Sequence, residues 1–363
     1  MKKLDQMSRR SFFKLFGAAS VAGAGLALAG CNGGEQKPAE EKPAEGDEKK
    51  DAASEYEPVT LKVAYMPNLG SAGSLFAGIS QGYFDEVGIT VEPQQFQKGP
   101  AEITALQSGE IDVAQIGHGA HSLCVNGDAK VFFFDQLSKA DAVVANKAKG
   151  IEKAADLKGK NIGIASGTSS EIILQYVLQD AGLTKDDVTL TEMDVAGMTT
   201  ALISGAIDAA ATWSPATITL EQQLGDNYLV LGTNVDYSDK VAFPGSYICA
   251  NDYADKNNDV LVRFGAAIDK AHVYRAEHTE ELAKYIAKEL ELDEDTMVQS
   301  VGEGDWQGAV DVIGDTDTVK GYYEAQQKVF LDGGQVEAEV PVENYVLLDI
   351  MKSADELYET KLK

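Results

Sequence analysis

The chain has 363 residues, 44% of them hydrophobic, and 58 acidic against 31 basic side chains give a formal net charge of −27. That length suits two modest domains or one large one. So acidic a surface excludes nucleic-acid binding, which needs Lys and Arg to neutralise phosphates, and its ordinary meaning is solubility.

The chain opens on "SRRSFFK", residues 8–14, followed by a Gly/Ala-rich apolar run from Leu15 to Ala29 that ends in "LAGC". Residues 1–31 resemble a twin-arginine export signal fused to a lipoprotein cleavage box. The apolar run is shorter than the roughly 18–20 residues of a spanning helix. The resemblance implies lipidation of Cys31 as the new N-terminus. The protein is then a lipid-anchored one, on the extracytoplasmic or periplasmic face of the cell membrane. Residues 32–58 repeat "EQKPAE" and "EEKPAE" with almost no apolar residue beyond Ala. Such a stretch cannot bury a core and is expected to be a disordered tether. No later segment is apolar for long enough to span a bilayer. With Cys31 lipidated, Cys124 and Cys249 remain, either as a disulfide or as small buried thiols.

The folded part begins near Val59. Strands are predicted near 61–66, 89–95, 111–116 and 129–137, then near 161–165, 187–193, 207–212 and 228–232, with helices in the gaps. "VAFPGSYICAND", 241–252, reads as one more strand, and 257–302 and 319–358 read as helical. "ALQSGEIDVAQIG" (105–117) and "ALISGAIDAAATW" (201–213) repeat one another 96 residues apart. Each reads as a helix that stops at a glycine and turns into a buried strand. The offset is too long for a solenoid and suits two similar α/β lobes.

These motifs carry a family resemblance. The lipoprotein signal, the paired ALxSGxID segments, "GYFDEVGITVE" (82–92), F-x-x-GP (96–100), "DLKGKNIGIASGTSS" (156–170) and W-x-P (213–215) resemble the solute-binding proteins of ABC importers. Those importers carry nitrate, taurine, aliphatic sulfonates and pyrimidine vitamin precursors. The resemblance covers about residues 58–335. It implies a periplasmic-binding-protein-like α/β fold: two α/β lobes with mixed, mostly parallel sheets and a ligand cleft between them. The first lobe is expected to take residues 59–140 and 251–363 and the second 141–250, with crossings near 138–150 and 241–252. The partner is an inner-membrane ABC permease, and the chain is expected to act as a monomer without a cofactor.

In such sheets ligands sit beyond the carboxyl ends of the strands, so the loops there are the candidates. "SGTSS", 166–170, is the foremost: Ser166, Thr168 and Ser169 offer hydroxyls and the following helix offers N–H groups to an anion. It is no nucleotide loop, since GxxxxGK[ST] is absent. Asn68 and Ser74 follow the first strand, Gly99 and Pro100 the second, and His118 sits between glycines after the third. Asp194 is a candidate acceptor or helix cap, Trp213 an aromatic wall, and Phe243, with Ser246, a weaker candidate on the return segment. His118, His121 and Cys124 do not gather on one helical face, so no metal is expected.

These loops hold no arginine, and their single lysine is Lys98. The expected ligand is therefore a sulfonate-like zwitterion or a pyrimidine-like heterocycle against Trp213, with Asp194 meeting an amine or ring N–H. Many relatives have an acidic residue between this Trp and Pro, where Ser214 stands here. Two rival readings are an enzyme related to pyrimidine-precursor synthesis and a sensing module for a membrane receptor. Against the first, neither a GxSxG elbow nor a recognisable Cys-His arrangement is present.

Overall fold

The computed structural model describes residues 56–363. The export signal, Cys31 and residues 32–55 of the tether lie outside the described residues. Strands run in the order β1 (Val59–Tyr65), β2 (Ile89–Gln95), β3 (Val113–Ile116), β4 (Lys130–Ser138), β5 (Asp141–Asn146) and β6 (Asn161–Ile164). They continue with β7 (Thr189–Glu192), β8 (Ala209–Trp213), β9 (Tyr228–Thr233), β10 (Pro244–Cys249) and β11 (Gly304–Asp305). One sheet has the order β11-β4-β10-β3-β1-β2 and the other β7-β6-β8-β5-β9.

Both sheets are mixed. β1 pairs in parallel with β2 and β3, and β6 with β7 and β8. β5 and β10 follow the two crossings between sheets, and both pair antiparallel with their neighbours. The crossings are tied to each other. The Ser138 N–H donates to the Phe243 carbonyl at 2.9 Å, and Asn234 Nδ2 donates to the Ser138 carbonyl at 2.6 Å.

The sequence placed residues up to 250 with the second lobe, and here the structure corrects it. β10 lies inside the first sheet, buried along its whole length between β3 and β4. Its apolar run suits any central strand, so composition could not tell which sheet would take it. Pro244 stands at its first position, where a missing N–H is tolerated. The C-terminal helices Asn258–Glu277, Trp306–Val312 and Leu348–Leu357 pack on β4.

The repeated motif builds the same joint in each sheet. Gly109 and Gly205 end their helices at φ 74° and 75°, which glycine adopts without a Cβ penalty. The aspartate three residues on then clamps the neighbouring parallel strand. Asp112 Oδ2 accepts from the Lys62 N–H at 2.8 Å, and Asp208 Oδ2 accepts from the Asn161 N–H at 2.8 Å. Asp112→Ala and Asp208→Ala should therefore each destabilise the fold by about 1.5–3 kcal/mol, the range for a hydrogen bond to a charged group. Urea unfolding of the two variants checks this.

Cys124 and Cys249 are both free and buried, so of the two sequence readings the structure takes the buried thiols. Burial pushes the Cys249 thiol up to about 12 and the Cys124 thiol up as well. Burial and a raised pKa both disfavour the thiolate, the form that reacts. Among the described residues no helix is long and apolar enough to cross a membrane.

Candidate functional site

A cavity of about 70 Å³ lies between the two sheets. Where one water needs roughly 10–15 Å³, that is room for a solute of several heavy atoms. Of the residues predicted from the sequence, Asn68, Gly99, His118, Thr168, Ser169 and Trp213 line it. They come from both sheets and from the carboxyl ends of their strands, where open α/β sheets bind ligands.

The other predicted residues sit elsewhere, each for a local reason. Ser74 is fully buried below the cavity, its hydroxyl 2.7 Å from both Asp135 Oδ1 and the Tyr247 hydroxyl. Asp194 is exposed and caps the helix Val195–Ser204, accepting from the Gly197 N–H at 2.7 Å. Phe243 is buried, with its ring 4.7 Å from that of His118. Ser166 is exposed and bonded to Glu192. Pro100 lies against Gly167 of the opposite lobe. Ser246 is buried between His121 Nε2 and the Tyr323 hydroxyl.

The "SGTSS" loop follows β6 and opens the helix Ser169–Asp180, as read from the sequence. Several of its donors, however, are taken by acceptors of the chain itself, most of them carboxylates. Ser166 gives its N–H and its hydroxyl to Glu192 Oε2, at 3.0 and 2.6 Å. The Gly167 N–H goes to Glu171 Oε2 at 2.8 Å, and the Thr168 hydroxyl to the Ala165 carbonyl at 2.7 Å. Ser169 Oγ donates to Asp141 Oδ1 at 2.6 Å. The Ser169 hydroxyl at the first turn of that helix is thus engaged by Asp141, while no side chain caps the helix's first N–H groups.

Asp141 is a cavity-lining residue that the sequence reading missed. It opens β5, lines the cavity and is 3% exposed. Burial pushes its carboxyl up to about 6, with the Ser169 and Ser138 hydroxyls acting the other way. Beside the cavity, Glu303 lines a smaller space that shares Asn68, Gly70 and Ala140 with it. Burial, and then the charge of Asp141, push Glu303 up to about 7.

Two glutamines were missed as well. Gln115 in β3 and Gln136 in β4 are buried, and both line the cavity. Gln115 Nε2 donates to Asp135 Oδ2 at 2.8 Å. Asp135 stays below the usual carboxylate range although burial opposes it, because Arg275, 3.1 Å away, and His272 hold it ionised. An ionised carboxylate only accepts, so it fixes the amide's orientation. The Gln115 carbonyl oxygen is buried, has no partner among the described residues and is left to the cavity. His118 is neutral, held well below its ordinary value by burial and then by His121. Gln326 Nε2 donates to its Nδ1 at 2.9 Å, so the ring proton belongs on Nε2. Among the described residues lining the cavity there is no Lys or Arg.

The lobes are drawn together over this cavity. A Cβ built on Gly119 would stand 2.2 Å from the Thr168 carbonyl carbon and 2.6 Å from the Ser169 nitrogen. At the rim, Lys98 Nζ lies 2.7 Å from Glu192 Oε1 across the cleft. Both side chains are more than a third exposed, so the pair is worth at most about 1 kcal/mol. Lys98→Met should weaken ligand affinity no more than about fivefold. The difference should vanish in high salt, which titration at two ionic strengths checks.

Two mixed α/β sheets, joined by paired crossings over one shared cleft, are the architecture of periplasmic binding proteins. The chain belongs to the NMT1/THI5-like family, whose model matches residues 71–282. A protein of Brucella abortus (strain 2308), named as a binding protein with no ligand in its name, is 27% identical over 293 residues, covering 80% of this chain and 91% of that protein. The taurine-binding periplasmic protein of Escherichia coli (strain K12) is 25% identical over 233 residues, covering 62% of this chain and 69% of the relative. Among solved structures, the periplasmic nitrate-binding protein NrtA from Synechocystis PCC 6803 shares the fold, with a TM-score of 0.70 at 14% identity, covering 85% of this chain and 90% of that one. These relatives are binding proteins rather than enzymes.

Proposed function

We propose that this chain is an extracytoplasmic solute-binding lipoprotein of an ABC importer. It captures a small solute by closing two lobes and delivers it to the permease. The observation that carries this is the shared cavity, lined by Asn68, Gly99 and His118 from one lobe and Thr168, Ser169 and Trp213 from the other. A ligand that touches both lobes only when they are together shifts the population toward the closed form. No covalent step is needed. The buried Ser74, Asp135 and His272 do not form a nucleophile relay, because the carboxylate stands between the hydroxyl and the ring.

Of the two solute classes suggested by the sequence, the heterocycle fits better than the sulfonate. Trp213 supplies a flat wall, while the Ser166 and Ser169 hydroxyls and the Gly167 N–H that a sulfonate could use are already engaged. Export and anchoring rest on "SRRSFFK" and "LAGC" with Cys31. Cys31→Ala should move the protein from the membrane fraction to the soluble one.

A thermal-shift screen with small-angle scattering tests the binding reading. A solute that binds the folded state with a micromolar Kd should, at millimolar concentration, stabilise it by about 4 kcal/mol. The same solute should reduce the radius of gyration. A binder that leaves the lobes unmoved would refute delivery by closure.

A further inference from the structure

We propose that the solute held in this cavity carries a positive charge, with Asp141 as its counter-ion and the Trp213 ring beside it. This deepens the solute-binding reading and rests on it. Asp141 and Trp213 are register partners across β5 and β8, so their side chains leave the sheet together on the cavity face. A carboxylate next to an indole face is a recognised way to hold an ammonium or amidinium group.

In the polar inventory buried acceptors outnumber the one buried donor, His118 Nε2, that lines the cavity without a partner among the described residues. The Asp141 carboxylate accepts from Ser169 at 2.6 Å and more weakly from Ser138 at 3.4 Å, which leaves acceptor capacity unused. The Gln115 carbonyl oxygen is a second buried acceptor in the cavity, 1% exposed as a residue and without a partner among the described residues. Glu303 adds a further carboxylate in the adjoining space. Acceptors recognise donors, and buried carboxylates without a cation call for one from outside.

The chain's own cations near the cleft are engaged elsewhere. Lys98 pairs with Glu192, Lys139 with Asp305 at 3.8 Å, and Arg275 with Asp135 at 3.1 Å. A sulfonate or nitrate would meet Asp141 where it needs a donor, and like charge there repels it. The site therefore selects by sign: it admits a protonated amine, amidine or aminoheterocycle and rejects an anion of the same size.

The test uses the purified protein at neutral pH, with tetramethylammonium and 4-aminopyridine, both cations there, against ethanesulfonate and nitrate at matched ionic strength. Melting temperature and radius of gyration are read for the wild type, Asp141→Asn and Glu303→Gln. The expected result is that at least one cation raises the melting temperature and closes the lobes while the anions do nothing beyond sodium chloride. Asp141→Asn should weaken that response at least about tenfold, as for a lost charge-assisted contact, and Glu303→Gln should weaken it less. Closure by an anion would overturn the proposal and leave the solute-binding reading standing. A cation response unchanged in Asp141→Asn would also overturn it. If no probe of either sign moves melting temperature or radius, the solute-binding reading fails and the proposal with it.

Discussion

Gly119→Ala is expected to cut solute affinity by about 10–100-fold while leaving the free protein's stability close to wild type. The added methyl would stand 2.2 Å from the Thr168 carbonyl carbon, 2.5 Å from its oxygen and 2.6 Å from the Ser169 nitrogen. All three are backbone atoms of the opposite lobe at the start of a helix, so none can swing aside as a side chain tip could. Overpacking of this kind costs about 1–3 kcal/mol, and each 1.4 kcal/mol is tenfold in affinity. Because the clash exists only when the lobes meet, opening relieves it, and the penalty falls on closure rather than on folding. Gly117 provides the contrast: its Cβ would find nothing nearer than Ser169 Oγ at 3.9 Å, so Gly117→Ala should still close. Calorimetric titration and thermal melting of the two variants separate these effects. Equal affinity in Gly119→Ala and wild type would mean that the solute is bound with the lobes apart.

The second large effect belongs to Asp141→Asn, which should lose the solute and gain stability together. The sign follows from linkage. Burial raises the folded-state pKa of Asp141 to about 6 from 3.8, so the folded protein holds that proton more tightly than the unfolded chain. This contribution to stability is greatest below the unfolded value, falls as pH rises between the two values, and is a constant penalty above about 6. At one pKa unit per 1.36 kcal/mol the penalty at neutral pH is about 2–3 kcal/mol. Asparagine keeps an acceptor for Ser169 and has no charge to desolvate. Asp141→Asn should therefore melt several degrees higher than wild type at neutral pH and converge with it near pH 4. For the wild type, affinity for a cation should fall up to tenfold per pH unit below about 6, as Asp141 protonates. A destabilised Asp141→Asn would make the carboxylate a structural group.

The lobes were legible because their joint is written twice. ALxSGxID encodes a helix stop, a clamp and a buried strand in one short run, and both copies built that joint, down to matching 2.8 Å hydrogen bonds from Asp112 and Asp208. The loops at the strand ends were legible too, since turn residues after apolar runs mark them, and they brought Asn68, Gly99, His118, Thr168, Ser169 and Trp213 to the cavity. Which polar group in a loop faces the ligand was less legible. Asp194 has the local D-x-x-G spacing of a helix cap, and it caps. Asp141 carries no motif. Its signal was an acid opening the apolar run "DAVVAN" at the crossing between lobes. Gln115 and Gln136 gave a similar signal, each a lone amide near the carboxyl end of a buried strand. The "SGTSS" loop misled because its composition advertises donors, while the acceptors that occupy them are Glu192 and Asp141 from other parts of the chain and Glu171, the very next residue.

The most direct test of a solute-binding protein that works by closure is a distance across the cleft. In a Cys31→Ala background, spin labels at Glu92→Cys on the first lobe and Asp186→Cys on the second sit on exposed positions, and Cys124 and Cys249 are buried and stay unlabelled. Pulsed dipolar spectroscopy should give a broad, longer distribution without solute. With a saturating solute that raises the melting temperature it should give one narrow, shorter distance, and Gly119→Ala should not reach it. A distribution that is the same with and without every stabilising solute would contradict closure as the mechanism.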